Sequence, residues 1–412
     1  MPLFKNIKSL FRNYFVKYKI WLISLAHSFV LLSLGYIWLG MTYTFGDEAF
    51  LIKWTALIKK DILNFDPKPL PSEVLFINTS QSKVEIEINR DPLAIQPEEI
   101  EITDRKQLSE LVSLIEPYKD DVQLVVLDLI FDLPSEDDSL LQTRLDKMGN
   151  KILGAVHINK NKEIPESVLD LPVALATYRS AEGMFFKYPI VYNEQKTLPA
   201  IMYEKISGNT ISKKGMFFRD GNKISLKAPI TDFKVRMTDF KLGKNLDESN
   251  FALHHMGTIT ELGKFMEPKD LKKMFAGKII MIGDFDNDTH KTAFGIMPGM
   301  LIVFNAYLTL LNNDNIITLG WLLLIVIGFT WISHRILTGK GFNLLDLLKN
   351  KFRSGWIHFI IDSLDELFFL SILTILSYLF FNIHINILVL FVYLKLVEFG
   401  IDIVKNRYKI EV

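Results

Sequence analysis

The chain has 412 residues, no cysteine and a formal net charge of +0. The absence of cysteine excludes disulfides, thiolate metal sites, cysteine nucleophiles and covalently attached c-type haem. Nucleic-acid binding calls for a basic patch or stripe, and the balanced charge gives no sign of one. We therefore expect neither a cofactor held by thiols nor a nucleic-acid partner.

Four apolar stretches are long enough to cross a lipid bilayer. The first, residues 20–43, carries no charged residue and exceeds the roughly 20 apolar residues that a membrane helix needs. The others, at 316–336, 357–381 and 383–404, lie close together at the end of the sequence. The first stretch is predicted to be a permanent anchor, because its apolar region exceeds the roughly 7–15 residues of a signal peptide and no small-x-small cleavage site follows it.

Basic residues next to these stretches predict the orientation, because Lys and Arg concentrate on the cytoplasmic side of membrane proteins. Segments 1–19, 337–356 and 405–412 are all rich in Lys and Arg. We therefore expect four spans in a bacterial inner membrane, with both termini in the cytoplasm. Residues 44–315 are then a periplasmic or extracellular domain, large enough to bury a core without disulfides.

Within residues 44–315, β-rich runs alternate with helical patterns, which predicts an α/β domain with a mixed central sheet flanked by helices. The predicted strands are residues 73–78, 122–131, 151–158, 184–192 and 278–285. The second and last of these are apolar on both faces, which predicts central positions in the sheet. The predicted helices are residues 48–63, 104–115, 137–148 and 301–311, the last running almost straight into the second span.

Three segments, residues 102–115, 125–141 and 277–311, resemble the CHASE2 extracellular sensory-domain family. The order of their motifs carries the resemblance more than any single motif does. The matching positions are Arg105, Asp128, Phe131, Asp138, Gly277, Lys278, Gly283, Asp288, Pro298, Gly299, Asn305 and Ala306. Proteins of this family typically have one span before the sensory domain and three after it, as hydropathy predicts here.

The sequence departs from the family pattern in three ways. Thr292 precedes an alanine where the family usually has Thr-Pro, and Val303-Phe304 replaces the usual His-Ala. Only a short tail follows the last predicted span, whereas such sensors normally continue into a cyclase, a kinase or another output domain. The resemblance therefore implies that any output comes from a separate protein.

The loop at 284–288 has Asp at alternate positions, like the first ligands of a calcium-binding loop. Thr289 stands where that loop needs Gly, and Gly295 stands where it needs a bidentate Glu. A solvated loop at a strand end is the favoured interpretation, so no metal or other cofactor is predicted. An oxygen-only cation site that includes His290 is left open.

Asp128 and Asp132 lie four residues apart at a predicted strand end, so an extended chain would point both to one face. Paired carboxylates can divide acid and base roles, but neither a nucleophile nor a metal motif accompanies them. We predict no enzyme, and favour helix capping and hydrogen bonding near Arg105. Together with Asp288 and Asn305, these residues are the candidate ligand-binding or structural positions.

The last two apolar stretches contain charged residues, which are costly at membrane depth and usually paired. Folding the hairpin about Asn382 brings Lys395 near Glu366 and Glu398. A salt bridge near the cytoplasmic surface is the favoured interpretation. The alternative is a polar contact with a helix of a partner protein. His27 in the first stretch is expected to pack toward the other helices.

These patterns predict a sensory or regulatory subunit that detects a ligand or protein outside the membrane and acts through another protein. The alternative is a constitutive scaffold subunit of a larger envelope complex, which the charged hairpin favours. The expected partners are the lipid bilayer and a separate membrane or cytoplasmic protein. A homo-oligomer is also compatible with the sequence.

Overall fold

A computed structural model describes most of the chain. The described residues are 2–41, 43–44, 46–65, 68–88, 98–159, 163–177, 183–215, 217–240, 251–339 and 355–408. Most of the predicted cytoplasmic loop at 337–356, and the end of the predicted tail at 405–412, lie outside these residues.

Helices and short strands follow one another along the whole chain. The α-helices are α1 (Pro2–Leu39), α2 (Gly46–Leu57), α3 (Arg105–Ile115), α4 (Asp138–Met148), α5 (Leu198–Ser207), α6 (Met256–Gly263), α7 (Pro268–Phe275), α8 (Gly299–Leu311), α9 (Leu319–Thr338), α10 (Gly355–Phe381) and α11 (Ile387–Tyr408). The strands are β1 (Val74–Asn78), β2 (Lys83–Ile88), β3 (Glu98–Thr103), β4 (Leu124–Asp128), β5 (Ile152–Val156), β6 (Val173–Leu175), β7 (Met184–Phe185), β8 (Val191–Tyr192), β9 (Gln195–Lys196), β10 (Ile211–Lys214), β11 (Phe217–Asp220), β12 (Lys223–Ser225), β13 (Leu253–His255), β14 (Ile279–Gly283), β15 (Thr289–Thr292), β16 (Gly295–Pro298) and β17 (Ile316–Ile317).

The chain divides into two compact units. The helical unit consists of Met1–Ile62, Asn222–Ile230 and Asn315–Val412, and the α/β unit consists of Leu63–Gly221 and Thr231–Asp314. Most of the segment expected outside the membrane, residues 44–315, therefore forms a compact body of its own. Residues 44–62 and 222–230, together with Asn315, are the exceptions within that segment, because they belong to the helical unit.

The central sheet of the α/β unit has six strands in the order β13-β1-β14-β4-β5-β6. All five pairings between these neighbours are parallel. The predicted central positions of β4 and β14 are confirmed, since both are flanked by strands on either side. The predicted mixed sheet is wrong, because the antiparallel pairings of this unit belong to small separate sheets such as β2-β3 and β15-β16.

Side chains alternate between the two faces of the central sheet, as strand geometry requires. Ile279 and Met281 of β14 pack on the face covered by α5 and α8. Ile280 and Ile282 pack on the other face, against α3, α4, α6 and α7. Fully burying such a side chain stabilises the fold by roughly 1.5–3 kcal/mol, and these two apolar layers hold the sheet between its helices.

Several predicted elements are shorter than expected. Residues 122–131 contain a strand only from Leu124 to Asp128, and the chain leaves the sheet before Asp132. Residues 184–192 form two short strands, β7 and β8, instead of one. Pro189 lies between them and has no backbone N–H to donate to a continuous ladder.

Among the residues that the structure describes, three helices are long and apolar enough to cross a membrane, which indicates a membrane protein. They are Tyr18–Leu39, Leu319–Thr338 and Ser363–Phe381. The helix α11 is not among them, since every membrane-length stretch of it contains Lys395, Glu398 and Asp402. A fourth span at 383–404 therefore stays a prediction.

The helical unit also contains short elements outside the candidate spans. α8 does not run directly into α9: residues 312–318 separate them and include β17. β17 pairs with β12, and Asn382 Nδ2 donates a hydrogen bond of 3.1 Å to the Ile230 carbonyl. The predicted helix at 48–63 is α2, extended by a π-helical turn at Ile58–Ile62.

Candidate functional site

A depression of about 810 Å³ lies at the carboxyl edge of the central sheet, within the α/β unit. Parallel strands all end at the same edge, so the residues that follow β4, β5 and β14 come together there. These residues include Asp128 and Asp132 after β4, His157 after β5, and Asp288 in the loop after β14. The volume is within the usual range of small-molecule sites.

Asp128 is the last residue of β4 and lies opposite Gly283 of β14 in the parallel register. A Cβ atom at position 283 would lie 3.2 Å from Met300 Cε and 3.4 Å from Asp128 Cβ. Glycine at 283 therefore leaves the space in which the Asp128 side chain meets the start of α8. Among the described residues, no hydrogen-bond or ion-pair partner is found for the Asp128 carboxylate.

Asp288 joins the loop after β14 to the beginning of α8. Its backbone carbonyl accepts a hydrogen bond of 2.8 Å from the Gly299 N–H, and its carboxylate lies 2.9 Å from His290 Nε2. A side chain at Gly299 would collide with Asp288 Oδ2. The carboxylate is thereby held against the first turn of α8, where the helix dipole favours negative charge.

The pKa values of two groups in the depression depart from their ordinary values. Burial, aided by the nearby Asp288 carboxylate and opposed by His290, raises the pKa of Asp128 to about 7. Burial also lowers the pKa of His157, which His290 reinforces and Asp288 opposes. Asp128 is therefore expected to change charge near neutral pH, whereas His157 stays neutral to lower pH than an ordinary histidine.

In the predicted calcium-like loop, the Asp284 carboxylate already has partners within the protein. Asp284 lies 3.0 Å from Lys83 Nζ and accepts a hydrogen bond of 2.9 Å from the Asn287 N–H. Burial alone would raise the pKa of Asp284, but the hydrogen bonds from Asn287 and Lys83 outweigh it and lower that pKa. No group of three metal-ligating side chains suited to an ion is present in the part of the chain that the structure describes.

Arg105, a predicted site residue, begins α3 behind the depression and does not line it. The side chain is 1% exposed, its Nε lies 3.4 Å from Asp138 Oδ1, and its guanidinium lies 4.3 Å from the centre of the Phe131 ring. The charge of Asp132, which does line the depression, also acts on Arg105. Arg105 therefore connects α3 to the start of α4 and supports the wall that carries Asp132.

Asn305, another predicted site residue, lies in the middle of α8 and is fully buried. Its Oδ1 accepts a hydrogen bond of 2.9 Å from the Val235 N–H. Its Nδ2 donates to the carbonyls of Val235 and Leu301, at 2.8 and 2.9 Å. The side chain thus holds an extended segment against α8 and makes no contact with the depression.

Several polar residues of the depression were not predicted from the sequence, among them His157, Lys83 and Glu101. His157 follows β5 directly, and Lys83 begins β2 and pairs with Asp284. A polar residue just beyond a parallel strand is a usable signal, and it could have identified His157. No sequence signal links Lys83 to the depression, because its contact with Asp284 depends on where the paired strands β2 and β3 pack in the folded unit.

The predicted intramembrane residues meet within the helical unit. Lys395 Nζ of α11 lies 3.0 Å from Glu366 Oε2 of α10 and 2.8 Å from Glu398 Oε2. The Glu366 side chain is 7% exposed and the Glu398 side chain 36%, so the first carboxylate is enclosed and the second reaches the surface of the unit. His27 of α1 contacts Ser333 at 2.8 Å and Tyr393 at 3.1 Å, which places it among the other helices.

No family model, no curated protein and no solved structure matches the chain. The resemblance to the CHASE2 family therefore stays a prediction.

Proposed function

We propose that the chain is a membrane-anchored sensory or regulatory subunit of the CHASE2 type. In this proposal the α/β unit lies outside a bacterial inner membrane and binds a ligand or a protein partner in the depression. The observation that carries the proposal is the position of the depression at the carboxyl edge of a parallel sheet. Ligands of open α/β sheets characteristically bind at this edge.

The depression is also next to the segment that continues into the membrane-length helices. Gly299 lines the depression and begins α8, and residues 312–318 then connect α8 to α9. A ligand that contacts Asp288 would act directly on the first turn of α8. Binding can shift the protein between two states only if the ligand has different affinities for them.

The orientation follows from the basic segments on either side of the apolar helices. Lys and Arg in residues 1–19 and 337–356 favour a cytoplasmic location for both segments. In this proposal the output comes from another protein. No catalytic role is proposed for Asp128 and Asp132.

The test is purification of the full chain in mild detergent at its normal expression level, followed by mass spectrometry of the proteins that remain bound. Recovery of a kinase, a cyclase or another regulator in a fixed ratio is expected. Amide hydrogen exchange at α8 should then differ between the free chain and the complex. A complex that leaves exchange throughout the α/β unit unchanged would contradict a sensory role.

A second candidate function is a constitutive scaffold subunit of an envelope complex. The Lys395–Glu398 pair favours it, because the partly exposed Glu398 side chain on a helix of the helical unit could bind a polar group on a partner's helix. Recovery of transport or envelope machinery, in an amount independent of added ligands, would support this alternative. Purification of a Glu398→Gln variant would then yield less of the partner than the original chain does.

A further inference from the structure

We infer that the depression takes an aliphatic amine or diamine, with its cationic end held between Asp128 and Asp288 and its hydrocarbon part against the apolar wall. This inference rests on the proposed function, since it specifies the chemical class of the ligand that the same depression would bind.

The depression is acidic although the whole chain is neutral. Its lining has five carboxylate side chains and one lysine. The carboxylates are those of Glu101, Asp128, Asp132, Asp284 and Asp288. Such a concentration of one sign of charge in a concave surface attracts ligands of the opposite sign.

The acidic side chains differ in whether they already have a cationic partner. Lys83 neutralises Asp284 at 3.0 Å, and Arg105 acts on Asp132 from behind the wall. Asp128 has no such partner among the described residues, whereas Asp288 lies 2.9 Å from His290 Nε2; the charges of Asp288 and His290 both act on Asp128. Two neighbouring carboxylates repel each other, so a cation between Asp128 and Asp288 would relieve that repulsion.

The rest of the lining indicates what the cation is attached to. Aliphatic side chains form much of the wall, including Ile100, Ile102, Leu129 and Val303. No Phe, Tyr or Trp occurs among the lining residues that the structure describes, so a stacked aromatic ring or an aromatic cage for a quaternary ammonium is disfavoured. No arginine lines it in these residues either, which disfavours phosphate and carboxylate ligands.

Binding of a cation here should depend on pH. The pKa of Asp128, about 7 without ligand, would fall when an ammonium binds beside it, so binding releases a proton from this group. Burial lowers the pKa of His157, so this ring stays neutral to lower pH than an ordinary histidine. Asp284, whose pKa is lowered, keeps its charge over this range. Affinity should therefore rise about tenfold from pH 6 to pH 8.

The experiment uses the full chain in detergent and isothermal titration calorimetry. The cationic probe is 1,4-diaminobutane, with 1,4-butanediol and succinate as neutral and anionic probes of the same length, all at equal ionic strength with a chelator present. Asp128→Asn and Asp288→Asn remove the two carboxylates. Asp120→Asn is the matched control, because Asp120 is an exposed acid in the α/β unit away from the depression.

We expect saturable binding of the diamine alone, weakened at least tenfold by Asp128→Asn or Asp288→Asn and unchanged by Asp120→Asn. The Asp128→Asn variant should also lose most of the pH dependence. Equal binding by all three variants would overturn the inference, as would binding of calcium ions in place of the diamine once the chelator is omitted.

The outcome separates this inference from the proposed function on which it rests. If butanediol or succinate binds and Asp128→Asn abolishes that binding, the amine class is wrong while the depression remains a ligand site. If none of the three probes binds, the amine inference fails. The sensory role then depends on whether a regulator is recovered with the native chain, which is a separate measurement.

Discussion

The ammonium of Lys395 lies 3.0 Å from the carboxylate of Glu366, so an ion pair joins α11 to α10 in an apolar helical unit. Both helices otherwise present mainly aliphatic and aromatic side chains. A charge in such surroundings is tolerated when its partner is present, and it becomes costly when the partner is removed.

Replacing this lysine should destabilise the helical unit. We expect Lys395→Met to lower the free energy of unfolding by about 3 kcal/mol, because the enclosed Glu366 carboxylate loses this ammonium. The six tryptophans all belong to the helical unit, so their fluorescence during thermal unfolding in detergent measures this effect. The control is Glu398→Gln, whose more exposed side chain should cost less than about 1 kcal/mol. Equal losses of unfolding free energy in the two variants would show that the Lys395–Glu366 pair contributes no more than the Lys395–Glu398 pair.

The Asn305 side chain should be needed for the stability of the α/β unit. We expect Asn305→Ala to cost roughly 2–3 kcal/mol, since it leaves the buried N–H and carbonyl of Val235 without their partners. Amide hydrogen exchange at α8 and at residues 231–240 should become faster. Asn150→Ala, at an exposed position, is the control and should leave exchange unchanged. If exchange in Asn305→Ala is as slow as in Asn150→Ala and the original chain, this role of Asn305 is contradicted.

Arg105 should contribute more to stability than a surface arginine. We expect Arg105→Met to cost about 3 kcal/mol, because Asp138 loses its buried partner and Phe131 loses the stacked guanidinium. Arg144→Met is a matched control: it breaks a 3.0 Å pair with Glu116 in which the arginine side chain is 34% exposed. That change should cost less than about 1 kcal/mol. Amide exchange in α3 measures both, and comparable rates would refute the difference.

Stability of the α/β unit should fall as the pH rises from 4 to 7. The pKa of Asp128, about 7 in the folded chain, is above its ordinary value of 3.8. The folded state therefore keeps a proton that the unfolded state has lost, and each pKa unit of difference costs about 1.4 kcal/mol. His157 acts in the opposite direction, because burial lowers its pKa. Above pH 7 the contribution of Asp128 is constant.

The comparison of variants isolates the part that belongs to Asp128. Asp128→Asn should be less sensitive to pH between 4 and 7 than the original chain, and Asp120→Asn should keep the full sensitivity. Tyrosine near-ultraviolet circular dichroism during thermal unfolding follows the α/β unit, which has no tryptophan in its sequence. Identical pH profiles for the two variants would show that Asp128 titrates normally.

Single cysteines should report the predicted topology without background, because the chain has none of its own. In intact spheroplasts, a membrane-impermeant maleimide should label Lys213→Cys, at an exposed position of the α/β unit, and should not label Lys349→Cys. Arg407→Cys decides the number of spans. If α11 crosses the membrane, this site is labelled only after lysis. Labelling in intact spheroplasts would limit the chain to three crossings.

The sequence predicted the core strands better than the way they pair. Apolar residues on both faces correctly placed Leu124–Asp128 and Ile279–Gly283 at the centre of the sheet. The same pattern cannot distinguish a parallel sheet from a mixed one, because both bury the two faces of a central strand. The pairing depends on connections between strands that are far apart in the sequence.

The predicted site residues divided in a similar way. Asp128, Asp132 and Asp288 do meet in the depression, because each follows or ends a strand of one parallel sheet. Arg105 and Asn305 were predicted as candidate ligand-binding or structural positions in the same way, yet both hold buried segments together. A buried polar residue with a structural role and one that awaits a ligand have the same sequence signature, and only the positions of their partners separate them.

Residues 222–230 have a consequence for how the protein is assembled. This segment belongs to the helical unit, yet it is synthesised between the two parts of the α/β unit. Its β12 pairs with β17, and the Ile230 carbonyl accepts a hydrogen bond from Asn382, which is made much later. The helical unit therefore cannot be completed while the chain is still emerging from the ribosome at α8. In the nascent protein, the helical unit therefore stays incomplete until α10, Asn382 and α11 have been synthesised.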